Sequence, residues 1–236
     1  MTKKTLFAAA LAAGIVGFAR AEDRAWAWSP LGIGIAAPIQ LPLIDSDVYG
    51  LRFGGLFGYN ADMFGIDAGV VSLETGTMAG IQGAAFTWTS DSVYGIQGAF
   101  LANVVDGDVF GVQVASVNAD WGNVWGVQVG VVDYCNSFHG IQVGGINWNN
   151  TPSHGWQTAV ANANQEEFAG FSAGAVNYSL RVTGCQIGAV NLADSMTGCQ
   201  IGFFNAAQRA RGVQIGFLNM ICEGPLPIMV VANASF

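Results

Sequence analysis

Gly212-Val213-Gln214-Ile215-Gly216-Phe217-Leu218-Asn219 decides the fold, because its pattern recurs twelve times along the chain. Other clear copies are Gly126-Val127-Gln128-Val129-Gly130 and Gly184-Cys185-Gln186-Ile187-Gly188-Ala189-Val190-Asn191. With the first glycine as position 0, the copies start at Gly50, Gly65, Gly80, Gly95, Gly111, Gly126, Gly140, Gly155, Gly170, Gly184, Gly198 and Gly212, spaced by 14, 15 or 16 residues. Position 2 is glutamine in nine copies, at Gln82, Gln97, Gln113, Gln128, Gln142, Gln157, Gln186, Gln200 and Gln214. Arg52, Asp67 and Ser172 hold it in the other three. Position 4 is always Gly or Ala, positions 1 and 6 are nearly always apolar, and position 7 is Asn in seven copies between Asn118 and Asn219. Position −1 is aromatic in early copies, at Tyr49, Phe64, Tyr94, Phe110 and Trp125. Glycine and glutamine alternate with Ile and Val at period two, so each copy predicts a β-strand with one polar and one apolar face.

An all-β repeat of this kind has two natural architectures. In a β-solenoid each copy is one coil and like residues stack, so position 7 becomes an asparagine ladder. In an up-and-down barrel each copy is one strand and its turn. The run from −2 to 6 spans nine residues, or about 30 Å at about 3.3 Å per residue. The five or six left over reach about 20 Å at most, too short a return to the next coil unless the long strand bends sharply. Strand length therefore favours an antiparallel transmembrane barrel, whose strands need about 9 to 11 residues with aromatics near their ends. The solenoid is the alternative and a soluble β-sandwich the third reading. Cys185 and Cys199 discriminate, since both hold position 1 in successive copies. A solenoid stacks them about 4.8 Å apart, within reach of a disulfide.

Both ends add to the strand count. Leu31-Gly32-Ile33-Gly34-Ile35 can form a strand before the repeats, and Leu226, Ile228, Val230, Ala232, Ala234 and Phe236 alternate along a closing strand over 226–236. Twelve copies and two end strands make about fourteen, an even number that lets first and last strands pair and removes both edges. Ahead of them, Lys3 and Lys4, the apolar run from Leu6 to Phe18 and Ala19-Arg20-Ala21 read as a signal peptide over 1–21. The apolar run falls short of the ~18 to 20 residues of a spanning helix. The remainder, 22–236, reads as one repeat-built β domain with the repeats over about 48–219.

Beyond residue 21 the chain has no lysine and only five arginines, against sixteen acidic residues. Nucleic-acid binding needs clustered cations to displace counterions and is excluded. The chain is 52% hydrophobic and 10% charged, with a mean hydropathy of +0.41. Soluble chains average about 25% charged residues, yet nothing after residue 21 is a long apolar run. The hydrophobicity is spread over many strands, which points to outer-membrane lipid as a partner.

The motif G-[VI]-Q-[VI]-G-x-x-N resembles the bacterial surface-repeat family, with tandem copies behind a signal peptide, over roughly Val48 to Asn219. The early copies, Leu51-Arg52-Phe53 and Ile66-Asp67-Ala68, lack the glutamine. The resemblance implies export to the outer membrane or cell surface and brings no catalytic residue.

Enzyme signatures are missing: there is no GxSxG, HExxH or P-loop. No cofactor and no metal are expected, because the four cysteines form no CxxC and His139 and His154, both at position −1, read as substitutes for the aromatic. Arg52 and Asp67 share position 2 in neighbouring copies, as a charged constriction of a barrel lumen or as a structural ion pair. The expected role is a structural or adhesive component of the outer membrane or surface, or a narrow passive channel, without catalysis. The alternative is a soluble or surface-attached solenoid that binds a partner through its Gln/Asn face. The surface partner or solute is not specified by the residues.

Overall fold

A computed structural model of the chain describes residues 28–36, 39–42 and 46–236. The signal peptide over 1–21 and the start of the mature chain at Glu22 lie outside the described residues. The repeats stack as coils of a β-solenoid, which corrects the barrel and bears out the alternative. Neighbouring copies pair parallel and in register: Gly111 faces Gly126, which faces Gly140, and Gln113 faces Gln128, which faces Gln142. A barrel of one strand per copy would have made every such pair antiparallel.

The sharp bend that strand length argues against is present in every coil. Val109–Val114 is one strand and Val117–Asp120 a second, with Ala115 and Ser116 turning the corner between them. Asn123–Val129 and Val132–Cys135 repeat the arrangement one coil later. Positions −2 to 3 therefore build a first sheet and positions 6 to 9 a second, packed face to face. The residues around position 4 form one corner, and positions 10 to 13 form the other. Glycine or alanine at position 4 serves this corner: a Cβ on Gly202 would meet the Gly188 carbonyl oxygen at 2.0 Å. The nine-residue strand is two shorter ones folded over, and the rest of the period closes the coil.

Position 0 needs glycine for a backbone reason. All twelve glycines have φ between +128° and +148°, a region that side chains rarely adopt. A Cβ there would also sit 1.9 to 2.3 Å from a carbonyl oxygen of the preceding coil. No other residue fits.

The two ends are capped differently. Trp28–Ala36 pairs parallel with the first coil and antiparallel with the short strand Ile39–Leu41. The strand expected at Leu31–Ile35 is thus present. At the other end Ile228–Ser235 runs antiparallel to the last coil, Gly212 facing Ser235 and Gln214 facing Asn233. This is the strand expected within 226–236, but it covers the end of a stack instead of closing a barrel against the first strand.

Candidate functional site

Three rows of side chains point inward and are stacked coil upon coil. Position −2 supplies an apolar row, with Val48, Met63, Met78, Val93, Val109 and Val124 in one continuous buried cluster. Position 2 supplies the glutamines, all at most 1% exposed. Position 7 supplies the asparagines, and position 9 adds Glu74, Asp120, Asn149 and Asn164. Glutamine and asparagine lie inside because each amide reaches its own copy one coil away. Gln97 Nε2 donates to Gln82 Oε1 at 2.7 Å, Gln142 to Gln128 at 2.8 Å, and Gln157 to Gln142 at 2.9 Å. The asparagine ladder runs the other way. Asn162 Nδ2 donates forward to Asn177 Oδ1 at 2.9 Å, Asn177 to Asn191 at 2.8 Å, and Asn191 to Asn205 at 2.8 Å. The same Nδ2 groups also donate to carbonyls of the next coil, such as Ile187 O at 2.9 Å and Ile201 O at 3.0 Å. An amide buried without partners costs about 1 to 3 kcal/mol, so each break in the series carries a cost of that order. Ser172 breaks the glutamine row, and Gln186 Nε2 beyond it has no hydrogen-bond partner.

Two expectations are corrected by this burial. The Gln/Asn face cannot be a partner-binding surface, because it is sealed between the sheets. A passive channel has no bore to use, because the ladders occupy the interior. A cavity of about 10 Å³, room for one water, lies at the amino-terminal end between Gly32, Gln40, Arg52 and Gly58.

Arg52 and Asp67 do meet. Arg52 Nε and Nη2 donate to the two carboxylate oxygens of Asp67, each at 2.6 Å, and Nη2 also reaches Glu74 Oε1 at 2.7 Å. Arg52 Nη1 donates to Asn60 Oδ1, and Gln82 Nε2 closes the cluster on Asp67 at 3.0 Å. There is no lumen for this group to constrict. It begins the glutamine ladder, with Asp67 accepting where an earlier glutamine carbonyl would. Burial opposes the charge on Arg52, but its bonds to Asp67 and the charges of Glu74 and Asp67 outweigh burial and raise its pKa. Burial pushes Glu74 up to about 7, against the pull of Arg52 and with the help of Asp67.

A second buried group is not apparent from the repeat pattern. Asp120 accepts from Gln113 Nε2 at 3.0 Å and from Gln128 Nε2 at 2.7 Å. Asp133 takes the place of an asparagine and accepts from Asn118 at 2.7 Å. Burial pushes Asp120 up to about 8 and Asp133 up to about 6, the glutamines and Asn118 pulling the other way. Burial and these two acids hold the Cys135 thiol well above its usual range, and its Sγ lies 2.8 Å from Asn149 Oδ1 as donor. A signal for this row does exist in the residues two beyond position 7, which are often small or polar, as at Asn149, Asn164 and Ser179. A strand taken to end at position 6 hides it.

Outward-facing positions are apolar on both sheets. Ile66, Ile81, Ile96 and Ile141 on the first sheet are close to half exposed, as are Ile146 and Trp148 on the second. Aromatics at position −1 stack along the axis: Tyr94 on Phe110 at 5.0 Å, Phe110 on Trp125 at 4.7 Å, and Trp125 on His139 at 5.5 Å. His139 stacks on His154 at 5.1 Å as one more step of this row; burial, then His154, lowers its pKa. No cluster of three or more His, Cys, Asp or Glu suited to a metal occurs among the described residues. Cys185 and Cys199 are joined by a disulfide with Cα atoms 4.7 Å apart, the stacking expected of a solenoid. Cys222 is free and exposed.

With this geometry in view, comparison with known proteins adds no relative: no family model, no curated protein and no solved structure matches the chain.

Proposed function

We propose that the chain is an exported, non-catalytic component of the outer membrane or cell surface, a structural or adhesive rod that works through its outer faces. One observation carries this reading: the solenoid is polar inside and apolar outside. Among the described residues the buried polar side chains outnumber the buried hydrophobic ones, while large hydrophobic side chains are exposed along its whole length. Apolar surface in such amount marks a contact site, and the sealed amides provide rigidity without chemistry. The signal-like segment over 1–21 and the resemblance to bacterial surface-repeat proteins support the location.

Labelling of intact cells tests the proposal. The chain beyond residue 21 offers no lysine, so a membrane-impermeant maleimide directed at the free, exposed Cys222 is the suitable reagent. Labelling of intact diderm cells, abolished in Cys222→Ser and lost when residues 2–21 are deleted, is the expected result. Labelling only after cell lysis would overturn the surface assignment.

A further inference from the structure

Around the circumference of the solenoid, taken over all its coils, the outward side chains are ordered by polarity. The corner at positions 10 to 13 is the charged one. Of the acidic residues among those described, every one that is not buried lies on it, including Asp62, Asp91, Asp106, Glu166, Asp194 and Glu223. Arg181 and Arg209 lie there too, so Arg211 is the one charged side chain on either outer face among the described residues.

Next to this corner, on both sheets, come amphipathic aromatics. Position −1 contributes Tyr49, Tyr94 and Trp125, and the second sheet contributes Trp88, Tyr134 and Trp148 close to its end. Polar tips on the second sheet turn toward the charged corner: Trp148 Nε1 donates to Asn150 Oδ1 at 3.1 Å, and Asn150 Nδ2 donates to the Tyr134 hydroxyl at 2.6 Å. Aliphatic rows at positions 1, 3 and 6 follow. At the opposite corner, position 5 carries Phe100, Val131, Val160, Phe203 and Phe217, which are 63 to 76% exposed, Val70, and small residues (Gly, Ala or Ser) in the remaining coils.

We infer that the solenoid lies on its side in one leaflet of a lipid membrane, with the Phe100–Phe217 ridge inserted and the acidic corner in water. The sequence of charge, aromatic belt, aliphatic band and phenylalanine is the order of a leaflet from surface to midplane. The dimensions agree. From position −1 to position 3 is about 13 Å of strand, and the corner adds a little more; half of a hydrocarbon core about 30 Å thick is about 15 Å. Lipid also demands that no backbone group be left bare. Solenoid hydrogen bonds run along the axis from coil to coil, through the corners as well, as in Ala115 N to Val129 O at 3.0 Å and Val131 N to Ser116 O at 2.9 Å. The lateral surface therefore presents side chains only. A partner protein would have to match this profile on two faces and a ridge at once, whereas a fluid leaflet does so without shape complementarity.

The inference rests on the reading of the outer faces as the working surface and names what they meet. Flotation of the purified protein with phosphatidylcholine vesicles tests it. Because apolar burial and not charge drives the contact, binding should persist at high salt and should not need anionic lipid. Replacing Phe100, Phe203 and Phe217 together by Ser should weaken partitioning by on the order of 100-fold or more, with the far-ultraviolet circular dichroism of the β-sheet retained. The same three changed to Leu should bind, as should Asp91→Asn. On the unmutated protein, tryptophan fluorescence should be quenched by lipid brominated near the headgroup.

Failure of the protein to float, whether as a monomer or as an assembly of copies that hides the ridge, would overturn the inference. Equal flotation of the triple Ser variant would overturn it too, as would binding that requires anionic lipid and disappears in salt. Vesicle binding together with failed labelling of intact cells would refute the surface assignment alone, and the reverse pair of results would refute the leaflet contact alone.

Discussion

The two halves of the solenoid follow the same outer rule and fill their interiors in different ways. Up to about Asn149 the coils are 14 to 16 residues long, and many of their strands are short pieces broken at corners, such as Met63–Ala68 and Val71–Glu74. The interior of this half holds Arg52, Asp67, Glu74, Asp120 and Asp133. From Ser153 to Ile221 the chain is a single uninterrupted run of 69 strand residues, and the last three glycine spacings are all 14. None of the Asp, Glu, His or Arg side chains in that run is buried. Coils of equal length keep corners in register as well as strands, and the asparagine row there stacks unbroken from Asn162 to Asn219, although Ser172 interrupts the glutamine row. In the amino-terminal half, one guanidinium and several carboxylates take inward positions that amides hold elsewhere, and the glutamine and asparagine amides hydrogen-bond to them. Amide series and buried charged groups are alternative ways to satisfy the same narrow polar interior.

The largest effect should fall on both halves alike. Gly80→Ala in the irregular half and Gly198→Ala in the regular half both place a Cβ about 2 Å from the preceding coil's carbonyl oxygen, at φ +139° and +128°. Each should destabilise by on the order of 5 kcal/mol, or prevent folding, as read by urea unfolding. A loss of about 1 kcal/mol at either site would mean that the coil can relax there, and that the shared glycine rule is not what unites the halves.

Removing the cation from the irregular half comes next. Arg52→Met leaves Asp67 and Glu74 buried without their counter-charge, and breaking a buried pair from one side costs about 4 kcal/mol. The cost should be smaller at pH 5 than at pH 8, because Glu74, already pushed up to about 7 by burial, takes up a proton. An equal loss at both pH values would show that packing of the guanidinium, and not its charge, holds the amino-terminal coils together.

How much of this is legible in the sequence follows from what a residue pattern records. Alternation at period two tells which side chains share a face, so Gln214 and Ile215 fall on opposite sides as expected. The strands at Leu31–Ile35 and 226–236 are legible for the same reason. Alternation does not record what lies on either side, so the apolar outer face of a solenoid looks like the wall of a barrel. Nor does it record a bend: Ala115 or Gly130 at position 4 looks like a small residue in a strand until the corner is seen. Glycine at position 0 is legible as a requirement, but its cause, the carbonyl of the preceding coil, depends on the parallel stacking that strand length disfavours. Asp120 is missed as an interior residue because the row at position 9, although marked by small or polar residues, faces inward only once the strand has folded over. The stacking of Cys185 on Cys199, like the asparagine ladder at position 7, is a feature whose geometry differs sharply between the two architectures.

The two halves should finally separate by pH. Burial raises Asp120, Asp133 and Glu74 to about 8, 6 and 7 from ordinary values near 4. Between about pH 4 and pH 8 the folded chain therefore holds protons that the unfolded chain has lost, and stability must fall as pH rises through that window. It is fully present below about pH 4, where both states are protonated, and levels off above about pH 8. A tenfold difference in proton affinity between the two states is worth about 1.4 kcal/mol, so Asp120 alone should contribute a loss on the order of 3 kcal/mol between pH 5 and pH 8. The loss should be local, because the coils after Gly170 bury amides and hydroxyls that do not titrate. Amide hydrogen exchange, corrected for its intrinsic dependence on pH, should show protection falling with pH in the coils around Gln113 and Gln128 and holding steady in those around Gln200 and Gln214. Asp120→Asn should flatten the first response and leave the second untouched. Parallel loss in both halves would mean that the solenoid opens only as one cooperative unit, in which case the interior difference would be chemical but not energetic.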